Sequence, residues 1–214
     1  MMLDGQQREQ LERQLRRAAR EMNVEVDDLQ VTLLLDYLAM LFKWNKAYNL
    51  TAIRQINDML HRHIIDSLSV VKHIHGERLI DVGTGGGLPG VVLAILHPER
   101  SIVLLDSNGK KTRFLFQVKA ELGLKNIEVV NKRVEQFTPE VLFDGIISRA
   151  FSSLQQMYHW TNHLLAENGC FFAMKGVYNQ TEIDELPAGL SCECIDLFVP
   201  NEEGQRHLVK ITTN

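Results

Sequence analysis

A glycine-rich turn followed by a second strand-end carboxylate is the first place where residue types and spacing suggest chemistry. The segment LIDVGTGGGLPG spans residues 79–90 and follows a short apolar run. Glycine permits positive φ and lets the backbone approach a ligand without an intervening Cβ. Asp106 ends the next apolar run, where a carboxylate can accept hydrogen bonds from both hydroxyls of a ribose. The pattern predicts a site for an adenosine-bearing cofactor.

The glycines of this turn can be counted in two registers. In one register, Gly85, Gly87 and Gly90 have the spacing of a dinucleotide-binding turn. In the other register, Asp81 precedes glycines at every second position, beginning with Gly83. NAD enzymes and S-adenosylmethionine (SAM) enzymes share the fold in which such turns occur, so the fold alone does not choose between the two cofactors.

Two residues favour the register that begins with the acid. A carboxylate at position 81 would repel a pyrophosphate, whereas it suits the ammonium group and cationic sulfur of SAM, so we expect Asp81 to bind the cofactor. Pro89 is of the type favoured at the first position of a helix, which leaves residues 83–88 as the loop. The turn therefore predicts SAM.

The elements around this turn alternate between short apolar runs and longer amphipathic ones. Seven runs have the character of strands: RLIDV, SIVLLD, NIEVV, FDGIIS, GCFFAMKG, LSCECIDLFV and RHLVKITT. The last two runs have no convincing helix between them, which predicts an antiparallel pair at the end of the sheet. The alternation predicts an α/β fold with a doubly wound, mostly parallel, seven-stranded sheet of the Rossmann-like kind.

The N-terminal third has a different composition. Neither glycine nor proline occurs between Gly5 and Gly76, and both residues are costly inside helices. Apolar residues at helical spacing follow Asp27 and Asp28, either of which could cap a helix. We predict a helical N-terminal region at residues 1–76, packed on a cofactor-binding domain at residues 77–214.

Composition limits the class of protein. The 214 residues carry a net charge of -4, which does not fit a protein that coats nucleic acid by bulk positive charge. Three cysteines make no disulfide framework, the first 17 residues are polar, and no run of 18 apolar residues occurs. We therefore expect a cytoplasmic protein that does not enter a membrane. We also expect it to be monomeric. His61 and His63 lack further ligands at useful spacing, so no metal site is expected.

Six segments together resemble a known family. They are KWNKAYNLTAI, RHIIDSL, LIDVGTGGGLPG, LLDSNGKKTRFL, FDGIISRAF and AMKG. They look like the class I SAM-dependent methyltransferases, and more narrowly like the glucose-inhibited division protein B family, the guanine-N7 methyltransferases of 16S ribosomal RNA. The resemblance covers nearly the whole chain.

The resemblance implies a set of cofactor contacts. These are Gly83 and Leu88 in the loop, Asp106 on the ribose, Val134 and Glu135 beside the adenine, and Arg149 at the reactive end of SAM. Guanine N7 has a lone pair and no proton, so its methylation needs positioning and electrostatic complementarity rather than a general base. Arg149 is the candidate catalytic residue, and its alternative role is a salt bridge to an acid at a strand end.

An RNA substrate, as 16S ribosomal RNA or a small-subunit particle, needs local positive charge. Lys110, Lys111 and Arg113 follow the strand that ends in Asp106, so we expect them near the cofactor. Lys175 and Arg206 are predicted on the same rim.

Three other functions stay open from the residues. An NAD-dependent oxidoreductase is disfavoured by Asp81 and Pro89. A non-catalytic ribosome-assembly factor could keep SAM as a structural ligand. A small-molecule methyltransferase is compatible with the fold, and only the family resemblance counts against it.

Overall fold

A computed structural model describes residues 4–149, 151, 153–177, 180–202 and 204–213. The helices predicted before residue 76 are present. They are α1 (Gly5–Glu21), α2 (Asp28–Tyr48), α3 (Ile56–Met59), a π-helical segment (Leu60–Ile65), α4 (Asp66–Leu68) and a 3-10 turn (Val71–His73). No described helix is both long enough and apolar enough to cross a membrane.

Side-chain caps fix where the two long helices begin. Asp4 accepts a hydrogen bond from the Gln7 backbone N–H at 2.8 Å and starts α1. Asp27, one of the two predicted cap residues, starts α2 in a reciprocal capping box with Gln30. Asn49 ends α2 in the left-handed conformation, with a φ of 52°.

Seven strands form one sheet, as predicted. They are β1 (Arg78–Val82), β2 (Ser101–Leu105), β3 (Ile127–Val130), β4 (Phe143–Ser148), β5 (Leu165–Lys175), β6 (Leu190–Asp196) and β7 (His207–Thr213). Their order is β3-β2-β1-β4-β5-β7-β6, and the five strands from β3 to β5 are parallel. The predicted antiparallel pairing of β6 with β7 is confirmed, and β7 also runs antiparallel to β5.

Helices cover both faces of the sheet because successive strand residues point to opposite sides. The later helices are α5 (Gly90–Leu96), α6 (Gly109–Leu122), α7 (Leu154–Thr161) and α8 (Gln180–Asp184), with 3-10 turns at Val134–Gln136 and Asn162–Leu164. Leu79 packs in one core with α1, α2, α5 and α6, whereas its neighbour Ile80 packs in a second core with α7. The N-terminal helices therefore share a core with the sheet.

The strand order reverses between β1 and β4, which are adjacent and parallel. In open α/β sheets, ligands bind beyond the carboxyl ends of the strands at such a point. The glycine turn follows β1, and Arg149 follows β4. Because β7 is antiparallel, its first residue, His207, pairs with Lys175 at the end of β5, and Arg206 lies at this same edge.

Candidate cofactor and catalytic site

The glycine turn adopts the register that begins with the acid. Gly83, Gly85 and Gly87 have φ values of 69°, 61° and 99°, which L side chains rarely adopt. Gly90 has a different role, because a Cβ there would lie 2.3 Å from Leu104 Cδ2. Gly90 is therefore needed for the packing of α5 against β2. The predicted helix start is confirmed to within one residue, with Pro89 as the cap residue before Gly90.

Asp81 stabilises the glycine loop from the buried end of β1. The residue is fully buried, and its Oδ2 accepts hydrogen bonds from the Thr84 hydroxyl at 2.7 Å and from the Gly90 N–H at 2.9 Å. Burial raises the pKa of this carboxyl to about 6. The sequence predicts that Asp81 faces the cofactor, but in the structure its carboxylate is turned toward the loop and lines neither cavity of the site. Its charge can act on a ligand only across the loop.

Asp106 joins the glycine loop to the start of α6. Its Oδ2 accepts from the Gly85 N–H at 2.9 Å, and its Oδ1 accepts from the Asn108 N–H at 2.8 Å. The Lys111 ammonium lies 3.7 Å from Oδ2. The carboxylate is thus fixed between two backbone segments and still lines a cavity, as a ribose-binding acid must.

Tyr37 holds the same loop from the N-terminal region, and the sequence did not indicate this role. The residue lies on α2, is fully buried, and donates its hydroxyl to the Gly86 carbonyl at 2.6 Å. Burial raises the pKa of the hydroxyl well above its usual range, so it stays a neutral donor. The available signal was a tyrosine within a stripe of leucines, because a buried phenol needs a polar partner.

Two cavities meet at Gly83, which lines both of them. The first has a volume of about 350 Å³ and is lined by residues that include Asp106, Val134, Glu135, Lys132, Arg133, Phe151 and Trp160. The second has a volume of about 210 Å³ and is lined by residues that include Leu50, Thr51, His63, Thr84, Leu88 and Arg149. All the predicted cofactor contacts other than Asp81 therefore line the cleft that these two cavities form on either side of Gly83.

The first cavity has an aromatic wall that the sequence did not predict. Phe151 and Trp160 meet edge to face, with ring centroids 5.9 Å apart. Trp160 is 38% exposed, so part of its surface remains accessible to a ligand. Aromatic surfaces of this kind suit a flat heterocycle such as adenine. A larger cavity of about 470 Å³ near the C-terminal end of α1 contains none of the predicted site residues.

Arg149 lines the second cavity and also forms an ion pair. Its Nη1 lies 3.2 Å from Asp66 Oδ2 and donates to the Arg62 carbonyl at 3.4 Å. The salt bridge considered from the sequence exists, but the acid belongs to a helix of the N-terminal region and not to a strand end. About a third of the Arg149 side chain remains exposed, so it can also contact a ligand.

His63 gives the second cavity an uncharged polar wall. Its Nδ1 lies 3.0 Å from the Arg62 carbonyl, which can only accept, so Nδ1 carries the proton. Nε2 then accepts from the Thr51 hydroxyl at 2.8 Å. Burial lowers the pKa of the imidazole to about 4, so His63 is neutral at physiological pH. Across the described ranges, no three metal-binding side chains cluster.

Replacing His63 with Gln is expected to remove an acid-sensitive part of the stability. The folded pKa is about 4 and the unfolded value is 6.5, so as the pH falls the unfolded chain takes up a proton first. The stabilisation is complete above pH 6.5 and is lost as the pH falls toward 4, by about 1.4 kcal/mol per pH unit.

Urea unfolding of both proteins at pH 7 and pH 5 measures this effect. The difference in unfolding free energy between the native chain and His63→Gln should shrink at pH 5. Asp81 titrates with the opposite sign, since its raised pKa adds stability at low pH, but it is present in both proteins and cancels in the difference. A difference that does not change with pH would contradict the assignment of a neutral, buried His63.

The basic residues of α6 differ in how accessible they are to an RNA phosphate. Lys110 and Arg113 are exposed, and neither forms an ion pair with any residue that the structure describes. Lys111 is only partly exposed and points toward Asp106. The first two are therefore available for phosphate contacts beside the first cavity.

Lys175 and Arg206, also predicted to bind RNA, are both paired with acids. The Lys175 ammonium lies 2.8 Å from Glu182 Oε2, and only 10% of its side chain is exposed. That burial leaves it little access to a phosphate in this conformation. Arg206 pairs with Asp66 at 3.0 Å and with Glu202 at 3.5 Å, but 28% of its side chain is exposed.

Known proteins are similar to this chain over most of its length. The family model described as GidB, rRNA small subunit methyltransferase G, matches residues 30–209. The ribosomal RNA small subunit methyltransferase G of Hydrogenovibrio crunogenus is 57% identical over 91% of this chain and 90% of its own length. The protein of the same name from Saccharophagus degradans is 51% identical over 97% and 93% of the two chains.

The fold is also that of known methyltransferases. The ribosomal protein L11 methylase of Lactobacillus delbrueckii superposes with a TM-score of 0.54 at 15% identity, covering 70% of this chain and 77% of that one. The predicted class I methyltransferase fold is thus confirmed. Because the family model spans most of the sequence and both relatives are more than half identical to it, this chain belongs to the GidB family, rRNA small subunit methyltransferase G.

Proposed function

We propose that this chain transfers a methyl group from SAM to N7 of a specific guanine in 16S ribosomal RNA. The names of its relatives support a methyltransferase of small-subunit ribosomal RNA. In this proposal residues 77–214 form the SAM-binding domain and residues 1–76 frame the RNA site. The protein acts as a monomer in the cytoplasm on naked RNA or a small-subunit particle.

The cleft that joins the two cavities fits SAM. We assign to the cofactor the residues Asp81, Gly83, Leu88, Asp106, Val134, Glu135 and Arg149, with Asp81 acting through the loop that it supports. Asp106 would accept from the ribose, and the wall formed by Phe151 and Trp160 would cover the adenine. When bound, SAM supplies a methyl group on a cationic sulfur.

The observation that carries the proposed chemistry is that none of the described residues lining the second cavity is a free general base. Both nitrogens of His63 are bonded and its pKa is about 4, so it is not available to remove a proton. Arg149 offers only N–H donors and no acceptor. Within the described lining no other side chain titrates near neutral pH. N7 of guanine carries no proton, so such a site needs only to hold N7 in line with the methyl group.

The alternative of an NAD-dependent oxidoreductase is disfavoured by the start of α5. A dinucleotide places its pyrophosphate on the first N–H groups of the helix that follows the glycine turn. Here the Gly90 N–H is already bonded to the Asp81 carboxylate. An anion at this place would also meet that carboxylate, which is an unfavourable contact.

The test of the proposed function is the modification state of the ribosomal RNA. Mass spectrometry of nucleosides from cells that lack this protein should find one 7-methylguanosine missing from 16S ribosomal RNA. The purified protein and SAM should restore it on small subunits from those cells. If no 7-methylguanosine is missing, the assigned substrate is wrong. NADH binding without SAM binding would favour an oxidoreductase.

A further inference from the structure

A buried carboxylate joins two arginines from distant parts of the chain at the edge of the cleft. Asp66, on α4, has only 7% of its side chain exposed. Its Oδ2 lies 3.2 Å from Arg149 Nη1, and its Oδ1 lies 3.0 Å from Arg206 Nε. One carboxylate thus fixes a residue after β4 relative to a residue before β7.

The bonding leaves both guanidinium groups able to bind something else. A guanidinium carries five N–H donors in one plane. Arg149 uses Nη1 for Asp66 and the Arg62 carbonyl, whereas Arg206 uses Nε for Asp66, Nη1 for the Gln205 carbonyl at 2.9 Å and Nη2 for Glu202. At least two N–H donors of each guanidinium remain for another ligand. About 30% of each arginine side chain is exposed, at 31% for Arg149 and 28% for Arg206. Two cations so close would repel each other without the acid between them. Asp66 therefore sets the separation and the orientation of the two groups.

The cluster as a whole keeps a positive charge. Glu202 lies 3.5 Å from Arg206 Nη2 and 3.6 Å from Arg62 Nε. Three arginines and two acids leave a net charge of about +1 by simple valence. A monoanion placed on the exposed edges would bring the cluster to neutrality.

We infer that Asp66 is a positioning residue, which holds Arg149 and Arg206 as a clamp for one backbone phosphate next to the target guanine. This inference rests on the proposed function. Arg149 lines the second cavity, whereas Arg206 lies outside the described lining of both cavities, so the clamp leads from the reaction site to the surface. A base that enters such a cavity must leave its stack, and contacts to the flanking backbone keep it in register.

Replacing Asp66 with Asn tests the clamp, because Asn keeps the shape and removes the charge. The KM for small subunits should rise roughly tenfold or more, as expected for a lost charge-assisted contact. The dependence of log KM on log salt should become shallower by about one, the signature of one lost phosphate contact. The dissociation constant for SAM, measured by calorimetry, should rise by a smaller factor than the KM, because only Arg149 of the two arginines is also assigned to the cofactor.

A double-mutant cycle separates positioning from a general loss of stability. Arg206→Gln alone should raise the KM in the same way, but it should add little to Asp66→Asn. Asp144→Asn is the matched control, since Asp144 accepts from the Glu77 and Arg78 N–H groups at the opposite end of the sheet. This control should lower the unfolding temperature and leave the KM and its salt dependence unchanged.

Three results would overturn the inference. They are an unchanged KM with the native salt dependence in a folded Asp66→Asn protein, additive effects in the cycle, and a loss of SAM affinity larger than the rise in KM. The last result would assign the clamp to the cofactor's carboxylate. If Asp66→Asn does not fold, the same three quantities (the KM, its salt dependence and the dissociation constant for SAM) are measured for Arg206→Gln and for the charge-preserving Arg206→Lys instead. Failure of the proposed function itself would look different, because the native protein would then not methylate small subunits.

Discussion

Replacing Asp106 with Ala is expected to raise the dissociation constant for SAM by roughly a hundredfold or more, since hydrogen bonds to a charged group contribute about 1.5–3 kcal/mol each. The carboxylate has two tasks in the proposed complex. It accepts from the Gly85 and Asn108 N–H groups, which holds the loop against the start of α6. It would also accept from the ribose hydroxyls. Alanine removes both sets of bonds.

Calorimetric titration with SAM and methylation of small subunits measure the effect of Asp106→Ala. The SAM affinity of Asp106→Asn should lie between those of the native chain and Asp106→Ala, because the amide keeps one accepting oxygen and adds a donor. Asp36→Ala removes a half-exposed acid that pairs with Arg8 on the helical region and should leave SAM binding unchanged. Normal methylation by Asp106→Ala would favour the non-catalytic assembly factor over the enzyme.

Replacing Gly87 with Ala is expected to destabilise the fold by roughly 3 kcal/mol or more, from overpacking and backbone strain together. Its φ is 99°, and a Cβ would lie 2.5 Å from Val91 Cγ2 and 2.8 Å from Leu115 Cδ2. Both neighbours are fully buried, so they have little room to move. Gly85 also has positive φ, but a Cβ there would meet its nearest atom, Lys111 Nζ, at 3.8 Å.

The matched variant Gly85→Ala should therefore lose only about 1–2 kcal/mol, from backbone strain alone. Urea unfolding of the two variants compares the losses directly. Equal losses would mean that Gly87 is not wedged between α5 and α6 as the structure has it. Both variants are expected to weaken SAM binding, so stability rather than affinity distinguishes them.

Most of the fold was predictable from the sequence because its signals are local. Alternation of short apolar runs with amphipathic ones predicted the seven strands, and the absence of glycine and proline predicted the N-terminal helices. The final antiparallel pair followed from the lack of a helix between the last two runs. The π-helical segment at Leu60–Ile65 was not predicted, since its apolar spacing resembles that of an ordinary helix.

For the site, the sequence predicted which residues lie near one another, because the carboxyl ends of parallel strands meet at one edge of the sheet. Sequence spacing predicted Asp106 and Arg149 at one edge, but it carries no information on where a side chain turns. Asp81 points into the loop because the Thr84 hydroxyl and the Gly90 N–H are its available partners. Lys175 is drawn to Glu182, which follows it in a segment where the sequence indicated no function. Asp66 meets its arginines across 83 and 140 positions, so no local pattern reveals it.

The bond from Tyr37 to the Gly86 carbonyl has a consequence for how binding and folding are linked. The loop that would hold the cofactor takes one of its restraints from Tyr37 on α2, which is 49 positions before Gly86 in the chain. A ligand that requires the ordered loop therefore also favours the docked state of α2, and it shifts that docking equilibrium by mass action. By reciprocity, any change that loosens α2 lowers the fraction of molecules competent to bind, and apparent affinity falls by that fraction. The docking of the N-terminal helices thus contributes to the apparent affinity for the cofactor.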